Sequence, residues 1–283
     1  MDFITIGEMV IDFLPGQEEA SYIRNAGGAP ANVAISAARN GLQAGMYCKV
    51  GNDDFGKFLL ETLRENHVTP LAPEMTDDAT TTMAFVSLNE NNDRSFTFAR
   101  KPGADTQLRA DELDKELLQN CRIFHFGSLS LTDQPAKNAT VAAVTCAKEA
   151  GALISYDPNY RATLWSSEAE AAENMKSMIS YADVMKVSDE ESLLLTGETT
   201  YEAAADKLLA MGPKLIAVTL GSEGVLMATK EKKERVKGFS VQSVDTTGAG
   251  DSFWGGTLSA YLSLEKPIES LTWEEIHHCA VCG

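Results

Sequence analysis

The sequence predicts an α/β fold: a doubly wound, mainly parallel sheet with helices on both faces, plus a small β-sheet lid. Two observations carry this. Along most of the 283 residues, short apolar runs of strand length alternate with longer segments of helical period, the rhythm of a parallel sheet covered by helices. One stretch breaks it: Thr80 to Leu88 and Arg94 to Arg100 are strand-like and joined by Asn89-Glu90-Asn91-Asn92-Asp93, which reads as a hairpin and not a βα unit. The length suits one α/β domain over 1–283, with the lid formed by about 10–26 and 80–105.

In order, Phe3-Ile4-Thr5-Ile6 reads as a buried strand, and Val10 to Leu14 and Tyr22 to Asn25 as lid strands. Pro30 to Asn40 is a helix with proline in its first turn and Gly41 just past its end. Ala44 to Val50 is a strand, followed by an amphipathic helix from Asp54 to Asn66 with Phe55, Phe58, Leu59 and Leu63 on one face. Strands follow at 122–126, 152–156, 184–187 and 215–220, with helices at 134–150, 167–180 and 200–210. The charge run Lys230 to Arg235 reads as a solvated hairpin turn after Val225–Thr229.

Composition narrows the function. Hydrophobic residues make up 44% and charged residues 23%, the balance of a globular chain with a sizeable core. With 24 basic and 41 acidic residues the net charge is −17, a surface that repels nucleic acid and anionic lipid. Phosphate ligands stay open, because backbone amides bind them locally. No run is long and apolar enough for a membrane helix, and the N-terminus has early acids and no basic stretch. Cys48, Cys121, Cys146, Cys279 and Cys282 are an odd, scattered set, read as buried thiols in a reducing cytoplasm.

Three short matches fail on chemistry. Gly51 to Phe58 has Walker A spacing but places Phe58 where a hydroxyl must bind Mg²⁺. Asp54-Phe55-Gly56 lacks the other protein-kinase signatures, and Gly248-Ala249-Gly250 lacks the third glycine of a dinucleotide fingerprint. His277-His278-Cys279-x-x-Cys282 lacks a second ligand pair at zinc spacing and reads as a helix face.

The strong motif is Asp245-Thr246-Thr247-Gly248-Ala249-Gly250-Asp251, leading into the apolar, helix-compatible run Ser252 to Leu264. The turn Gly248, Ala249, Gly250 opens a helix, so free N–H groups and the positive dipole end form an anion hole. A transferring phosphoryl group suits it. Asp251 would repel an anion unless it accepts the proton of an attacking hydroxyl. An acid that merely complements the dipole is the other reading, and chemistry alone leaves both open. In Asn25 to Ala34, Gly27 and Gly28 let a ligand approach backbone at a helix start, and Asn32 offers donors and an acceptor to polyol hydroxyls. Asp12, on an otherwise apolar strand, needs a hydrogen-bonding partner such as a sugar. An Asx-turn aspartate and a plain glycine-rich connection is the other reading, and without the Asp245–Asp251 motif it is the one these residues favour.

These residues resemble the ribokinase-like (PfkB-type) carbohydrate kinase family. The N-terminal signature lies at Gly27-Gly28-Ala29-Pro30-Ala31-Asn32 and the C-terminal one at Asp245–Asp251. Between them, Val50 to Gly56, Asp157-Pro158-Asn159-Tyr160-Arg161 and Thr219 to Gly224 also match. Gly7 to Phe13, Phe96 to Asp105 and Lys186 to Glu191 look most like the bacterial fructokinase branch. The resemblance implies ATP and Mg²⁺, with transfer to a primary sugar hydroxyl, most simply fructose to fructose 6-phosphate. Kinases for 2-keto-3-deoxygluconate, ribose or another riboside are alternatives, as is a non-catalytic sensor of the same fold. It assigns Asp251 as base and Gly248, Ala249 and Gly250 as anion hole. Asp12, Gly27, Gly28 and Asn32 become sugar contacts, with Arg100 and Arg161 as lid and phosphate-side contacts. Lys186, Ser188, Thr219, Gly221 and Gly224 fall on the nucleotide side, and Glu191 handles Mg²⁺, with Ser188 replacing the family's asparagine. A monovalent cation (K⁺) near the Asp245 loop and a homodimer through the lid, where Phe85, Phe96 and Phe98 lie, are further expectations. Relative to the family the C-terminus is expected to be truncated, since the chain stops at Gly283 just after the segment Ile276 to Cys282.

Overall fold

The first apolar run, β1 (Phe3–Ile6), enters the centre of a sheet, and the chain then leaves it for β2 (Val10–Pro15) and β3 (Tyr22–Gly27) before returning through α1 (Ala29–Arg39). The order continues with β4 (Ala44–Tyr47), β5 (Val50–Gly51), α2 (Asp54–Glu65), β6 (Val68–Leu71), β7 (Met75–Thr76), β8 (Met83–Leu88) and β9 (Arg94–Ala99). Then come α3 (Lys115–Gln119), β10 (Ile123–Phe126), α4 (Ala136–Glu149), β11 (Leu153–Tyr156), α5 (Glu168–Ile179), β12 (Val184–Ser188) and α6 (Asp189–Thr196). The chain closes with α7 (Tyr201–Ala210), β13 (Leu215–Thr219), β14 (Val225–Ala228), β15 (Lys233–Val236), α8 (Ala249–Ser263) and α9 (Trp273–Cys282). This computed structural model describes residues 1–18, 20–71, 74–88, 94–240 and 246–283, the side chains of 88 and 94–96 excepted. The Asn89–Asp93 connection, Asp245 and the Phe96 side chain therefore lie outside the described residues.

The main sheet has nine strands in the order β15-β14-β13-β12-β11-β10-β1-β4-β6, parallel except at β14 and β15. Alternate residues feed two cores. Ile4, Phe124, Met185 and Ile216 join α4, α5 and α7 on one face, while Phe3, Ile123, Val184 and Leu215 join α1, α2, α8 and α9 on the other. The chain runs outward from β1 to β4 on one side, with β10 on the other. Such a switch point leaves a crevice at the carboxyl ends of the strands. The second sheet has the order β3-β2-β8-β9, with β2 and β8 parallel. Its strands come from the two stretches that the sequence assigns to the lid.

Several boundaries differ from the sequence reading. The strand expected over 44–50 is two, β4 and β5, of which β5 pairs with β7 in a separate ladder. On α2 the fully buried apolar side chains are Leu59, Leu60 and Leu63. Phe55 and Phe58 pack against the same core at its border with the second sheet, Phe55 edge-on to Phe13 at 5.8 Å and Phe58 under the Arg24 guanidinium at 3.9 Å. Helix α8 starts at Ala249, so Ala249 and Gly250 are its first turn and not a loop before it. Lys233, Glu234 and Arg235 belong to β15, and only 229–232 form the turn. Cys282 is exposed and Cys146 half-buried, which corrects the reading of all five thiols as buried. Among the described residues no helix is long and apolar enough to cross a membrane.

At the base of the second sheet a buried polar cluster ties its strands to the main body. Arg100, just after β9, donates from Nε and Nη2 to Asp105 at 2.8 and 2.6 Å. It also donates to Thr132 Oγ1 at 2.8 Å and the Leu129 carbonyl at 3.1 Å. Thr82, just before β8, donates to the same Asp105. Glu8, just before β2, accepts from the Ala29 N–H at 3.1 Å. Burial pushes the Glu8 carboxyl from 4.5 up to about 7. With its folded value raised, the native state keeps this proton to higher pH than the unfolded chain. The stabilisation is full below 4.5 and is lost as pH rises through about 7. At about 1.4 kcal/mol per unit the loss is about 3 kcal/mol. Glu8→Gln keeps an oxygen for Ala29 and cannot ionise. Denaturant melts at pH 5 and pH 8 should show a fall in wild-type stability that is smaller by about that amount in the variant. Parallel falls in both proteins would assign the effect to other groups.

Candidate active site

Two helix starts meet at the switch point. Gly28 caps α1 with φ 119°, and Pro30 sits in its first turn. Helix α8 lies so close along α1 that a Cβ at Gly255 would stand 2.5 Å from Ser36 Cβ, and Ser36 donates to the Ser252 carbonyl at 2.8 Å. One turn back on each helix, this contact sets Asn32 beside Asp251, with Nδ2 donating to Oδ2 at 2.9 Å. The other carboxylate oxygen accepts from Asn159 Nδ2 at 3.1 Å. Three residues on, Trp254 anchors α8 to the sheet by donating to Ser155 Oγ at 2.8 Å. That hydroxyl also bonds His125 Nδ1 at 2.9 Å, and burial holds the imidazole neutral by lowering it to about 3.

Asp251 is 7% exposed and lines one of two cavities that share the wall Thr247–Gly248, while its partner Asn32 lines the other. The first, about 570 Å³, holds Asp12, Gly27 and Asn32. Burial pushes the Asp12 carboxyl up to about 6, against the opposing charge of Arg161. A Cβ at Gly27 would lie 2.0 Å from Asp12 Oδ2, so glycine is what lets β2 and β3 pair beside that carboxylate. The second cavity, about 550 Å³, holds Lys186, Ser188, Glu191, Arg161, Asn159, Gly248, Gly250 and Asp251. Among the described residues no side chain caps α8, as is also so for α1 and α4, whereas Asp53, Ser167, Ser188 and Thr200 cap α2, α5, α6 and α7. The α8 N-terminus is thus left open to this cavity, ready for an anion. Lys186 lies beneath it, with Nζ 3.1 Å from where a Gly250 Cβ would be and 2.7 Å from Asp157 Oδ2. Burial opposes its charge, but Asp157, Glu191 and Asp251 together hold its ammonium above the ordinary lysine value.

The other expected residues fall in varied places. Glu191 and Ser188 form a capping box: Glu191 accepts from the Ser188 N–H at 2.8 Å and from the Tyr160 N–H at 2.7 Å. Thr219 ends β13, and Gly221 (φ 57°) and Gly224 (φ 98°) shape the loop after it, outside both cavities. Arg100 lines neither cavity and spends its guanidinium on Asp105 and Thr132. The residues that the sequence reading missed are Asn159, Asp157 and Glu8. The first two lie in the quoted 157–161 stretch, where only Arg161 carried an assignment. Another cavity, about 660 Å³, opens at the opposite end of the sheet, where Lys214 is paired with Asp183 and Glu269, and Lys148 with the Tyr181 carbonyl.

A carboxylate at a helix start, tied through Asn32 to a neighbouring pocket that holds a second carboxylate, Asp12, suits the movement of a phosphoryl group onto a hydroxyl. The sequence profile of the pfkB family carbohydrate kinases matches residues 2–276. The chain belongs to the pfkB carbohydrate kinase family. It is 42% identical over 273 residues to the probable fructokinase-2 of Arabidopsis thaliana, covering 94% of this chain and 83% of that protein. Among solved structures, a Vibrio cholerae fructokinase with fructose, ADP and calcium ion bound superposes with a TM-score of 0.89 at 34% identity, covering 99% of this chain and 89% of that one. An aminoimidazole riboside kinase from Salmonella enterica, complexed with aminoimidazole riboside and an ATP analog, gives 0.84 at 29% identity, covering 99% and 90%. The pfkB chain is thus a phosphotransferase acting on a sugar hydroxyl.

Proposed function

We propose that this pfkB kinase phosphorylates fructose at its primary 6-hydroxyl with ATP and Mg²⁺. The observation that carries the reading is the Asp251 carboxylate, which lines the second cavity and is held by Asn32, a residue of the first, across the shared wall Thr247–Gly248. Sugar occupies the Asp12–Asn32 cavity and the transferring phosphate the Gly248–Asp251 cavity. As the hydroxyl oxygen bonds to the γ-phosphorus and the bond to ADP breaks, Asp251 takes the hydroxyl proton. The open N–H groups of α8 and the Lys186 ammonium meet the negative charge on the phosphoryl oxygens. The nucleotide extends toward the Thr219–Gly224 loop.

Mg²⁺ takes oxygen ligands and keeps several waters. Among the described residues no group of three or more His, Cys, Asp or Glu suits a metal ion. Glu191 fits a water-mediated role, since both its oxygens already accept backbone N–H groups. A K⁺ ion by the Asp245 loop, a cytoplasmic location and a single-domain kinase with the second sheet as lid belong to the same proposal. So does a homodimer through that sheet. On its edge strand β3, Tyr22 and Ile23 are 49% and 55% exposed, whereas Phe85 stacks on Phe13 at 4.9 Å.

The test is a coupled ADP-release assay across fructose, ribose, 2-keto-3-deoxygluconate and aminoimidazole riboside. Fructose should give the highest kcat/KM, and binding without turnover of any sugar would turn the reading into a sensor. Asp12→Ala should raise the fructose KM by about ten- to a hundredfold, the worth of a hydrogen bond to a charged group, with the ATP KM nearly unchanged. A normal fructose KM would place the sugar elsewhere. Because the Asp12 carboxyl is raised to about 6, the wild-type fructose KM should climb as pH falls through that value.

A further inference from the structure

We propose that Asn159 is a positioning residue for phosphoryl transfer, fixing which oxygen of Asp251 receives the proton. The proposal rests on the reading of Asp251 as the base. The carboxylate is held from two sides, Oδ1 by Asn159 Nδ2 at 3.1 Å and Oδ2 by Asn32 Nδ2 at 2.9 Å. A carboxylate offers only acceptors, so both amides present N–H. Asn159 lines the phosphate-side cavity and Asn32 the sugar-side cavity. Oδ1 is therefore tied down on the phosphate side. Oδ2 faces the sugar side, where its present partner also serves the pocket and can be shared with an arriving hydroxyl.

The backbone at position 159 explains why asparagine stands there. Its φ of 48° is left-handed, a conformation open mainly to Gly, Asn and Asp. Its N–H donates to Asp157 Oδ1 at 3.2 Å, and Asp157 Oδ2 pairs with Lys186 at 2.7 Å. Gly or Asp would satisfy that turn. Of the three, only asparagine also gives an N–H to Asp251. With 8% of Asn159 exposed, the bond lies in a buried site, where an N–H donor favours the charged carboxylate over the neutral acid. The charged groups around it are Lys186, Asp157, Glu191 and Arg161, of which Lys186 gives its ammonium to Asp157 Oδ2 and Arg161 donates to the Tyr160 carbonyl.

The experiment compares Asn159→Gly and Asn159→Asp with wild type, and uses Asp251→Asn to test the underlying reading. Asn159→Gly keeps the turn and loses the donor. Its kcat should fall about tenfold, the worth of one hydrogen bond to a charged group, with fructose and ATP KM changed less than about twofold if ground-state binding is untouched. The acid limb of its kcat–pH profile at saturating sugar should move to higher pH. Asn159→Asp keeps shape and turn but sets a carboxylate against Asp251. It should lose more at pH 7 and carry its acid limb further up. A merely structural residue would lower thermal stability or active fraction and leave the limb in place. Unchanged kcat and pH profile in both variants, with Asp251→Asn inactive, would overturn the positioning role alone. Activity retained in Asp251→Asn would overturn the reading beneath it.

Discussion

Asp251→Asn should lower kcat by at least about a hundredfold, the scale expected of a positioned general base. ATP affinity should stay close to wild type, because the anion-binding element is the backbone at the start of α8 and not the side chain. The fold tolerates the change. The asparagine oxygen still accepts from one of Asn32 and Asn159, and the amide of the other can turn its own oxygen toward the new NH₂ group. Steady-state kinetics with fructose, alongside calorimetric titration of ATP, checks both halves. A variant with near wild-type kcat would leave Asp251 as a complement to the helix dipole, the reading that sequence chemistry alone keeps open. A variant that loses ATP binding as well would point to a distorted helix start and not to a lost base.

What sequence made legible is what local chemistry dictates. The uncapped glycine turn ahead of an apolar helix, the paired glycines before Pro30 and the strand–helix rhythm all state their structure within a few residues. Helix α6 was equally legible in principle, since Ser188-x-x-Glu191 is a capping box, but its short apolar stretch gave too little periodicity beside that signal. Strand β6 was missed because Val68–Leu71 carries proline and threonine and pairs only on one side, at the sheet edge. Asn159 could not be read as a partner of Asp251, because 92 positions separate them and only the meeting of β11 with α8 brings them together. Asn32 reads as a polar group at a helix start, and the fold sets it beside Asp251. Its grip on Asp251 depends on the α1–α8 contact at Ser36 and Gly255, which no local pattern reveals.

Arg100 is where the sequence expectation and the fold part most, and its substitution should have the largest effect on stability. The resemblance assigns it to the lid and the substrate. In the fold it is a buried brace at the joint of β9, with its side chain 6% exposed and that of its partner Asp105 1% exposed. Burial opposes its charge, but Asp105 first, then Glu8 and Asp133, hold the guanidinium above its ordinary value. Breaking a buried pair by removing one partner leaves the other as an uncompensated charge, a cost of about 3–5 kcal/mol. Arg100→Met should therefore lower Tm by roughly 10 °C, at a few degrees per kcal/mol for a chain of this size. Adding Asp105→Asn should recover part of the loss, because the stranded charge is gone while an oxygen remains for Thr82. The recovery separates a structural brace from a substrate contact, for which Asp105→Asn could restore nothing. Thermal melts of the single and double variants, with fructose KM at a temperature where both are folded, decide the matter. A fructose KM raised tenfold or more in Arg100→Met at unchanged Tm would return Arg100 to the sugar pocket.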